Sequence, residues 1–286
     1  MFAVFDIETR VDKRLLNHAM CAGEGLSDED AFQQFRERLR ARRGSDFFPL
    51  SLHIPISIAI GDVGADRVLR SVESLALADY SEEALAREFW ARAERFPGCL
   101  VTFNGRRFDF PVLELAALRY GIAAPAHFAE GANSPRARYA GERHLDLFDY
   151  LTNFGASGPM RGGMDLLLKM IGLPGKMEID GAQVQDLYDQ GRLDEIHRYC
   201  RNDVVQTYFL FLRVELMRGR IDEAAYEHAR RASAHFLDEL VSHPVPAPEA
   251  TPKPAPGASC APGASSEPAP AGDAPPANGR RRESPT

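Results

Sequence analysis

Strand-like segments come first in this chain and helix-like segments come last, and this order limits the folds it can adopt. The predicted strands are apolar or β-branched runs, over residues 2–7, 54–60, 67–72, 99–103 and 144–148. The predicted helices cover residues 29–42, 81–95, 109–120, 164–171, 180–190, 193–217 and 222–240. This order, with strands first, then alternating strands and helices, and then helices alone, predicts an α/β domain with a central mixed sheet flanked by helices.

The composition changes after His243. Twelve of the chain's twenty prolines lie between Pro244 and Pro285, among Ala, Gly and Ser, and no apolar periodicity remains there. Such a segment buries too little apolar surface to offset the entropy of ordering it. We therefore predict a folded domain over residues 1–243 and a disordered Pro/Ala-rich tail over residues 244–286. About 240 residues suit one large α/β domain.

The net charge of −7 limits the contact that this protein could make with nucleic acid. Acidic and basic residues of the tail cancel, so the whole negative excess lies on the predicted domain. Proteins that bind long duplexes tightly are usually basic, because phosphate neutralisation supplies much of the affinity. A nucleic-acid partner would therefore be held at a strand end, with metal ions supplying positive charge at the site.

Cysteine usage and the N-terminal pattern predict a soluble, cytoplasmic protein. Cys21, Cys99, Cys200 and Cys260 have no metal-pair spacing, which favours a reduced setting over a disulfide framework. No basic-then-apolar signal pattern precedes the first strand. No apolar run approaches the ~20 residues needed to cross a bilayer.

Three short segments far apart in the chain supply carboxylates, and the first is Asp6-Ile7-Glu8. Asp6 and Glu8 stand two apart on a predicted strand, so their side chains share one face. Two carboxylates on one face repel unless a cation lies between them. Two solvated charges at the end of a strand are the alternative interpretation.

The second segment runs from Asn104 to Asp109 and follows a predicted strand. Asn104-Gly105 favours a tight turn, and Asp109 opens the next helix. Asp109 could act only as a helix N-cap. It could also face the end of the sheet, where ligands of open α/β sheets collect. Arg106 and Arg107 could contact phosphate or form a solvated pair.

The third segment lies on a predicted helix and contains Tyr199 and Asp203. Residues four apart share a helix face, so a phenol and a carboxylate would lie one turn apart. The alternative is a surface pair with a half-buried tyrosine. His53, His144 and His197 have wide spacings and do not form a convincing zinc set.

With these motifs in order, the chain resembles the DEDD exonuclease superfamily, which has a ribonuclease H-like fold. Tyr199 matches the tyrosine type, because the histidine type would need a histidine four residues before Asp203, and His197 lies six before it. The resemblance is strongest to predicted 3′→5′ exonucleases related to the proofreading domain of family-B DNA polymerases, and it extends from residue 2 to about 213. It includes Asn104-Gly105-x-x-Phe108-Asp109, His144-Leu145-Asp146-Leu147, Asp180-Gly181 and Ile196-x-x-Tyr199-Cys200-x-x-Asp203-Val204.

This resemblance implies a two-metal site that takes Mg²⁺ or Mn²⁺. Asp6, Glu8 and Asp203 would hold one ion, and Asp6 would bridge to a second that Asp109 supports. Tyr199 would orient the attacking water. Asn104 and Phe108 would contact the substrate, although Phe108 could instead only pack in the core. Asp146 is expected to cap a helix or hold a turn, and the alternative is that it supports the metal ligands from behind.

The implied activity is removal of nucleotides from a 3′ end, with single-stranded DNA favoured and no polymerase domain attached. An exoribonuclease that trims RNA and a catalytically silent nucleic-acid-binding protein on the same fold are the alternatives. The tail could bind a protein partner, and Arg280, Arg281 and Arg282 could contact nucleic acid.

Overall fold

Five strands form one mixed sheet in the computed structural model, which describes residues 1–75, 80–131, 134–139, 141–157, 160, 162–175 and 183–242. The strands are β1 (Phe2–Val11), β2 (His53–Val63), β3 (Leu69–Ser74), β4 (Cys99–Thr102) and β5 (His144–Asp146). Their order in the sheet is β3-β2-β1-β4-β5. β1 and β2 pair antiparallel, as do β2 and β3, whereas β4 is parallel to both β1 and β5.

The helices in the described residues cover both faces of this sheet. They are α1 (Lys13–Met20), α2 (Asp28–Arg43), α3 (Glu82–Arg95), α4 (Asp109–Tyr120), α5 (Pro125–Phe128), α6 (Leu147–Leu151), α7 (Gly163–Met170), α8 (Val184–Asp189), α9 (Leu193–Met217), α10 (Glu223–Ala232) and α11 (Ala234–Ser242), with a 3₁₀ turn at Leu50–Leu52. The longest, α9, packs against β1, β2 and β3.

Alternating residues of β1 face two different cores. Ala3, Phe5 and Ile7 pack with apolar side chains of α3 and α4 on one side of the sheet. Val4 packs with α9 on the other side. Because side chains alternate along a strand, Asp6 and Glu8 share the face of Val4 and look toward α9.

Local signals in the sequence account for several element boundaries. Ser81 caps α3, since its Oγ accepts a hydrogen bond from the Ala84 amide at 3.0 Å, and Pro97-Gly98 follows its end. α4 and α9 begin and end at the residues that the sequence predicts. α1 is an addition that the sequence analysis did not predict.

Several predicted boundaries were wrong: β1 continues past residue 7 to Val11, and β3 covers Leu69–Ser74 rather than residues 67–72. In two other places tertiary contacts override the predicted ends. Residues 222–240 form two helices, and the break falls at the buried Ser233, whose Oγ accepts from the Leu69 amide and pairs with the Tyr208 hydroxyl. The extended piece over residues 144–148 ends at Asp146, which caps α6. Residues 180–182 of the predicted helix and the predicted tail over residues 244–286 lie outside the described residues.

β1 is the central strand of the sheet. On one side β2 pairs antiparallel with β1 and β3 pairs antiparallel with β2, and on the other side β4 and β5 run parallel to β1. This arrangement is consistent with a ribonuclease H-like fold. The predicted α/β class with a mixed sheet is therefore confirmed. Among the helices that the structure describes, none is long and apolar enough to cross a membrane.

Candidate active site

Three carboxylates converge between β1 and α9. Three carboxylate oxygens, one each from Asp6, Glu8 and Asp203, lie within 4.8 Å of one another. Glu8 and Asp203 are buried, and Asp6 is half-buried. The alternation along β1 thus brings the first acidic segment against the third, which comes almost 200 residues later in the chain.

Buried hydrogen bonds join α9 to the two strands beneath it. The Cys200 thiol donates to the Asp6 carbonyl at 3.3 Å, and His197 Nδ1 pairs with Ser57 Oγ at 2.8 Å. Ser57 lies opposite Glu8 in the β1–β2 register. Burial and the neighbouring Asp6 and Glu8 charges hold the pKa of Cys200 well above its usual value, so the thiol keeps the proton that it donates. These contacts fix the rotation of α9 that turns Asp203 toward β1.

Asp109 is the first residue of α4 and is buried beside the three-carboxylate cluster. The N-cap is Phe108, which makes no side-chain capping bond, so the alternative of Asp109 as an N-cap does not hold. Burial, together with the charges of Asp146 and Asp203, raises the pKa of Asp109 to about 7. Hydrogen bonding by the Asp109 and Ile7 backbone amides opposes this rise. Asp109 therefore lies close enough to interact with the cluster, although it is outside the group within 4.8 Å.

Asp146 holds the turn that leads into α4. Its carboxylate accepts hydrogen bonds from the Asn104 and Arg106 amides, each at 2.9 Å, and from the Phe148 and Asp149 amides at the start of α6. The predicted capping and turn role of Asp146 is thus confirmed. One side chain ties the turn after β4 to the helix after β5.

The predicted tight turn at Asn104-Gly105 favours asparagine at its first position and needs glycine at its second. Asn104 has φ of 66°, a left-handed conformation that asparagine adopts more readily than most residues. Its carbonyl accepts from the Arg107 and Phe108 amides. A Cβ on Gly105 would lie 2.5 Å from Thr102 Oγ1, so only glycine fits against β4 there.

A cavity of about 530 Å³ opens beside Asp6 and Asp203. Asn104 and Arg107 line it together with Phe148. The exposed guanidinium of Arg107 lies 5.5 Å from the centre of the Phe148 ring, and within the described part of the chain no carboxylate pairs with it. Arg107 is therefore available to an anionic ligand.

Arg106 points away from solvent, so the two arginines do not form a solvated pair. Its Nε lies 3.2 Å from the buried Asp149 carboxylate, and its Nη1 donates to the Arg136 carbonyl at 3.2 Å. Burial lowers the pKa of the Arg106 guanidinium. Arg106 thus belongs to the support beneath the turn.

Phe108 lies on the Glu8 side of the cluster. Its ring meets those of Phe47 and His53 edge-on, with centroids 5.8 and 5.3 Å apart. All three line a second cavity, of about 420 Å³, which Glu8 also lines. Part of Phe108 packs against the core around α3 and α4, so packing and substrate contact are compatible roles for this residue.

Tyr199 lies one turn before Asp203 on α9. It is buried rather than half-buried, among Ile56, Val184 and Leu187. The surface-pair alternative therefore fails on burial, whereas its role toward an attacking water remains a prediction.

The three histidines each pair with a different hydroxyl group. His53 Nδ1 lies 2.8 Å from Thr9 Oγ1, and His144 Nε2 lies 2.8 Å from Thr102 Oγ1, while His197 pairs with Ser57. Burial lowers the pKa of all three imidazoles. They join strands and helices around the carboxylates.

Sequence reasoning missed Phe47, His53 and Thr9 as neighbours of the site. The sequence gives only a weak indication of Phe47, which is that two adjacent phenylalanines, Phe47 and Phe48, stand in a polar stretch just before Pro49. Which of the two rings would be exposed depends on α2, which comes earlier in the chain.

Together, the sheet order and the carboxylates gathered between β1 and α9 define a protein of the ribonuclease H-like class. More closely, the chain belongs to the family of predicted 3′-5′ exonucleases related to the exonuclease domain of PolB, whose profile matches residues 45–245. No curated protein matches the sequence at a significant level.

The family match and the resemblance inferred from motifs cover different stretches. The match includes Asn104, Asp109, Tyr199 and Asp203, and it extends beyond residue 213 through α10 and α11. It begins after Asp6 and Glu8. The tertiary structure brings these two carboxylates against Asp203 of the matched region.

Proposed function

We propose that this protein is a 3′→5′ exonuclease that hydrolyses phosphodiester bonds at nucleic-acid 3′ ends with two divalent metal ions. The observation that carries the proposal is the convergence of Asp6, Glu8 and Asp203 in a chain of this family. Three carboxylates so close together repel one another, and a cation among them would relieve that repulsion.

The donor chemistry at this site fits Mg²⁺ or Mn²⁺. Carboxylate oxygens are hard ligands, which these ions prefer to the sulfur and imidazole ligands of zinc sites. Asp6, Glu8 and Asp203 would hold one ion, and Asp6 with Asp109 would hold the second. Bound ions of this kind lower the pKa of an attacking water and stabilise the charge on the leaving oxygen.

The remaining side chains would position the reactants. A phenol, whose pKa in model peptides is near 10, is suited to hold an attacking water by a hydrogen bond rather than to act as a strong base, and this is the role proposed for Tyr199. Asp109 is held by the turn that Asp146 braces, and a divalent cation nearby would favour its ionised form despite burial. Asn104 and Arg107 would contact the sugar-phosphate of the terminal nucleotides, and Phe108 would lie against a base.

A 3′-ended single strand of DNA is the substrate that we favour, and RNA is the second candidate. The negative net charge supports contact with a short stretch of strand rather than a long duplex. The choice between DNA and RNA depends on contacts to the 2′ position. A cytoplasmic setting belongs to the same proposal and is supported by Cys21, Cys99 and Cys200, which are free thiols.

Matched 5′-labelled DNA and RNA strands, incubated with Mg²⁺, Mn²⁺ or EDTA, test the proposal. We expect a ladder of progressively shorter labelled products that EDTA abolishes. Release of label as a mononucleotide would indicate the opposite polarity. Substrate that is retarded on a gel but stays intact would favour the catalytically silent binding protein.

Two carboxylate variants test the metal site itself. Asp6→Ala and Asp203→Ala should abolish cleavage and weaken Mn²⁺ binding in a calorimetric titration. Their melting temperatures without metal should equal or slightly exceed that of the wild type, because each change removes repulsion. Asp62→Ala, at an exposed position of β2, is the matched control and should retain both activity and Mn²⁺ binding. An Asp6→Ala variant with near wild-type turnover would refute the assignment.

A further inference from the structure

Phe47 presents an aromatic face to solvent beside the carboxylate cluster. Its side chain is 54% exposed, and its ring stacks on His53 with centroids 5.3 Å apart and planes 26° apart. The Phe108 ring meets both of these rings edge-on. An exposed phenylalanine is ordinary by itself, but this one belongs to a group of three rings around one cavity.

Anchors on both sides hold Phe47 in this position. Phe48, the next residue, is buried and stacks on Phe32 of α2 with planes 3° apart. Asp46, the preceding residue, pairs with Arg36 at 3.0 Å and Arg40 at 2.7 Å, both on α2. The exposed ring is therefore preorganised, which lowers the entropic cost of binding a ligand against it.

The cavity beneath these rings adjoins the candidate metal site. Glu8 belongs to both, and the hydroxyl of the next residue, Thr9, pairs with His53. The volume of this cavity, about 420 Å³, lies within the range of small-ligand pockets. A group bound against Phe47 would thus sit next to the carboxylates.

Most polar groups that line this cavity already have protein partners, and the exception among its described side chains is the buried Nε2 of His53. Arg36 pairs with Asp46, and Gln185 accepts from the Val11 amide and donates to Asp189. The cavity therefore offers flat aromatic faces and few groups that could read the hydrogen-bonding edge of a base. This combination suits stacking on any nucleobase.

We infer that Phe47 and His53 form a stacking platform for the base of the 3′-terminal nucleotide, an inference that rests on the proposed function. The platform makes the cleavage rate depend on whether the terminal nucleotide has a base, but not on which of the four bases it is. Phe47 is thus a positioning residue contributed by the segment between α2 and β2.

Two DNA strands that differ only at the 3′ end test this inference. One ends in a normal nucleotide and the other in an abasic residue. Wild-type enzyme should cleave the normal end about 5- to 150-fold faster, the factor expected when a stacked base is lost. Phe47→Ala and Phe47→Leu should lose most of this preference by slowing on the normal end, with no change on the abasic end.

Phe47→Trp and Leu118→Ala are the matched controls. The first keeps an aromatic face and should keep the preference, and the second removes an exposed apolar side chain from α4 and should behave as wild type. Equal slowing of Phe47→Ala on both ends, or no slowing, would overturn the inference. That outcome would also be expected if the cavity held an apolar segment of a protein.

A binding measurement separates failure of the platform from failure of the proposed function. In Ca²⁺, wild type should bind the strand with a normal 3′ end more tightly than the strand with an abasic 3′ end, and Phe47→Ala should lose most of this difference. Absence of metal-dependent cleavage by wild type would refute the exonuclease proposal, while these affinities still decide on the platform. An equal difference in affinity for both proteins would overturn the platform even if cleavage is confirmed.

Discussion

Tyr199 combines two properties that its sequence context alone would not join: it lies one turn from Asp203, and it is buried. If the phenol positions water, Tyr199→Phe should lower the catalytic rate by ~10²–10⁴-fold, as for a positioned proton-handling group. Binding of a single strand in Ca²⁺ should hardly change, because the ring and the carboxylates remain. Rate, affinity and melting temperature of this one variant check the prediction.

Tyr208→Phe is the matched control for Tyr199→Phe. Tyr208 is also buried on α9, and its hydroxyl donates to the Arg67 carbonyl at 2.9 Å. Removing that hydroxyl should cost about 1 kcal/mol of stability and leave the rate unchanged. A Tyr199→Phe variant that behaves in the same way would remove Tyr199 from the reaction while leaving the metal site in place.

Arg107 and Arg106 are adjacent in sequence but have opposite expected roles. Arg107→Gln should weaken binding of a single strand and reduce the slope of log affinity against log salt by about 1, because one phosphate contact is lost. Its melting temperature should not change, since the side chain is exposed. Arg106→Gln should lower the melting temperature instead, because it leaves the buried Asp149 with one partner fewer. The reverse pattern would show that the cavity beside Asp203 does not hold the strand.

Among the secondary-structure elements, α4 and α6 depend on the single carboxylate of Asp146. Asp146→Asn replaces one of its two accepting oxygens with an amide donor, which faces backbone N–H groups. We expect a loss of about 1–3 kcal/mol in the free energy of unfolding, because buried donors lose their acceptor. Activity should also fall, since the turn that positions Asn104 and Asp109 is released.

Denaturant unfolding and single-turnover cleavage of Asp146→Asn check both effects. Asp62→Asn is a suitable control, because that carboxylate is exposed on β2. Unchanged stability of Asp146→Asn would mean that the turn is held by other contacts.

At the scale of the whole molecule, buried histidines make stability depend on pH. Burial lowers the pKa of His53, His144 and His197 in the folded state, so below about 6.5 the unfolded chain binds more protons. Stability from this source is fully present above pH 6.5 and is lost as the pH falls. Between pH 7 and 5.5 each such histidine can contribute up to about 1.2 kcal/mol.

His144→Gln isolates one of these contributions. The difference in unfolding free energy between pH 7 and pH 5.5 should shrink by about 1 kcal/mol relative to wild type. The carboxyl of Asp109, whose pKa is raised, acts with the opposite sign but is common to both proteins. His18→Gln, at an exposed position on α1, should leave the difference unchanged. An unaltered difference for His144→Gln would contradict the prediction.

The tail gives a second prediction at this scale. A chain ending at His243 should keep the melting temperature and the rate on a short oligonucleotide, because the removed residues contain no core-forming pattern. Thermal melts and cleavage rates of the full and shortened chains check this. A large loss of either would show that the domain boundary lies further along the chain.

The sequence by itself determined features that depend on near neighbours. Alternation along β1 put Asp6 and Glu8 on one face, and four-residue spacing put Tyr199 and Asp203 on one helix face. Ser81, Asn104-Gly105 and Pro97-Gly98 bounded their elements, because capping and turn conformations are decided within a few residues.

Only the tertiary structure decided which of these faces meet and which side chains remain exposed. Adjacent arginines, Arg106 and Arg107, separate because the buried Asp149, about 40 residues later, pairs with only one of them. Phe48 is buried and Phe47 exposed because α2 supplies a partner ring for one of the two. Such outcomes depend on contacts between residues far apart in the chain, and local propensity carries no information about those contacts.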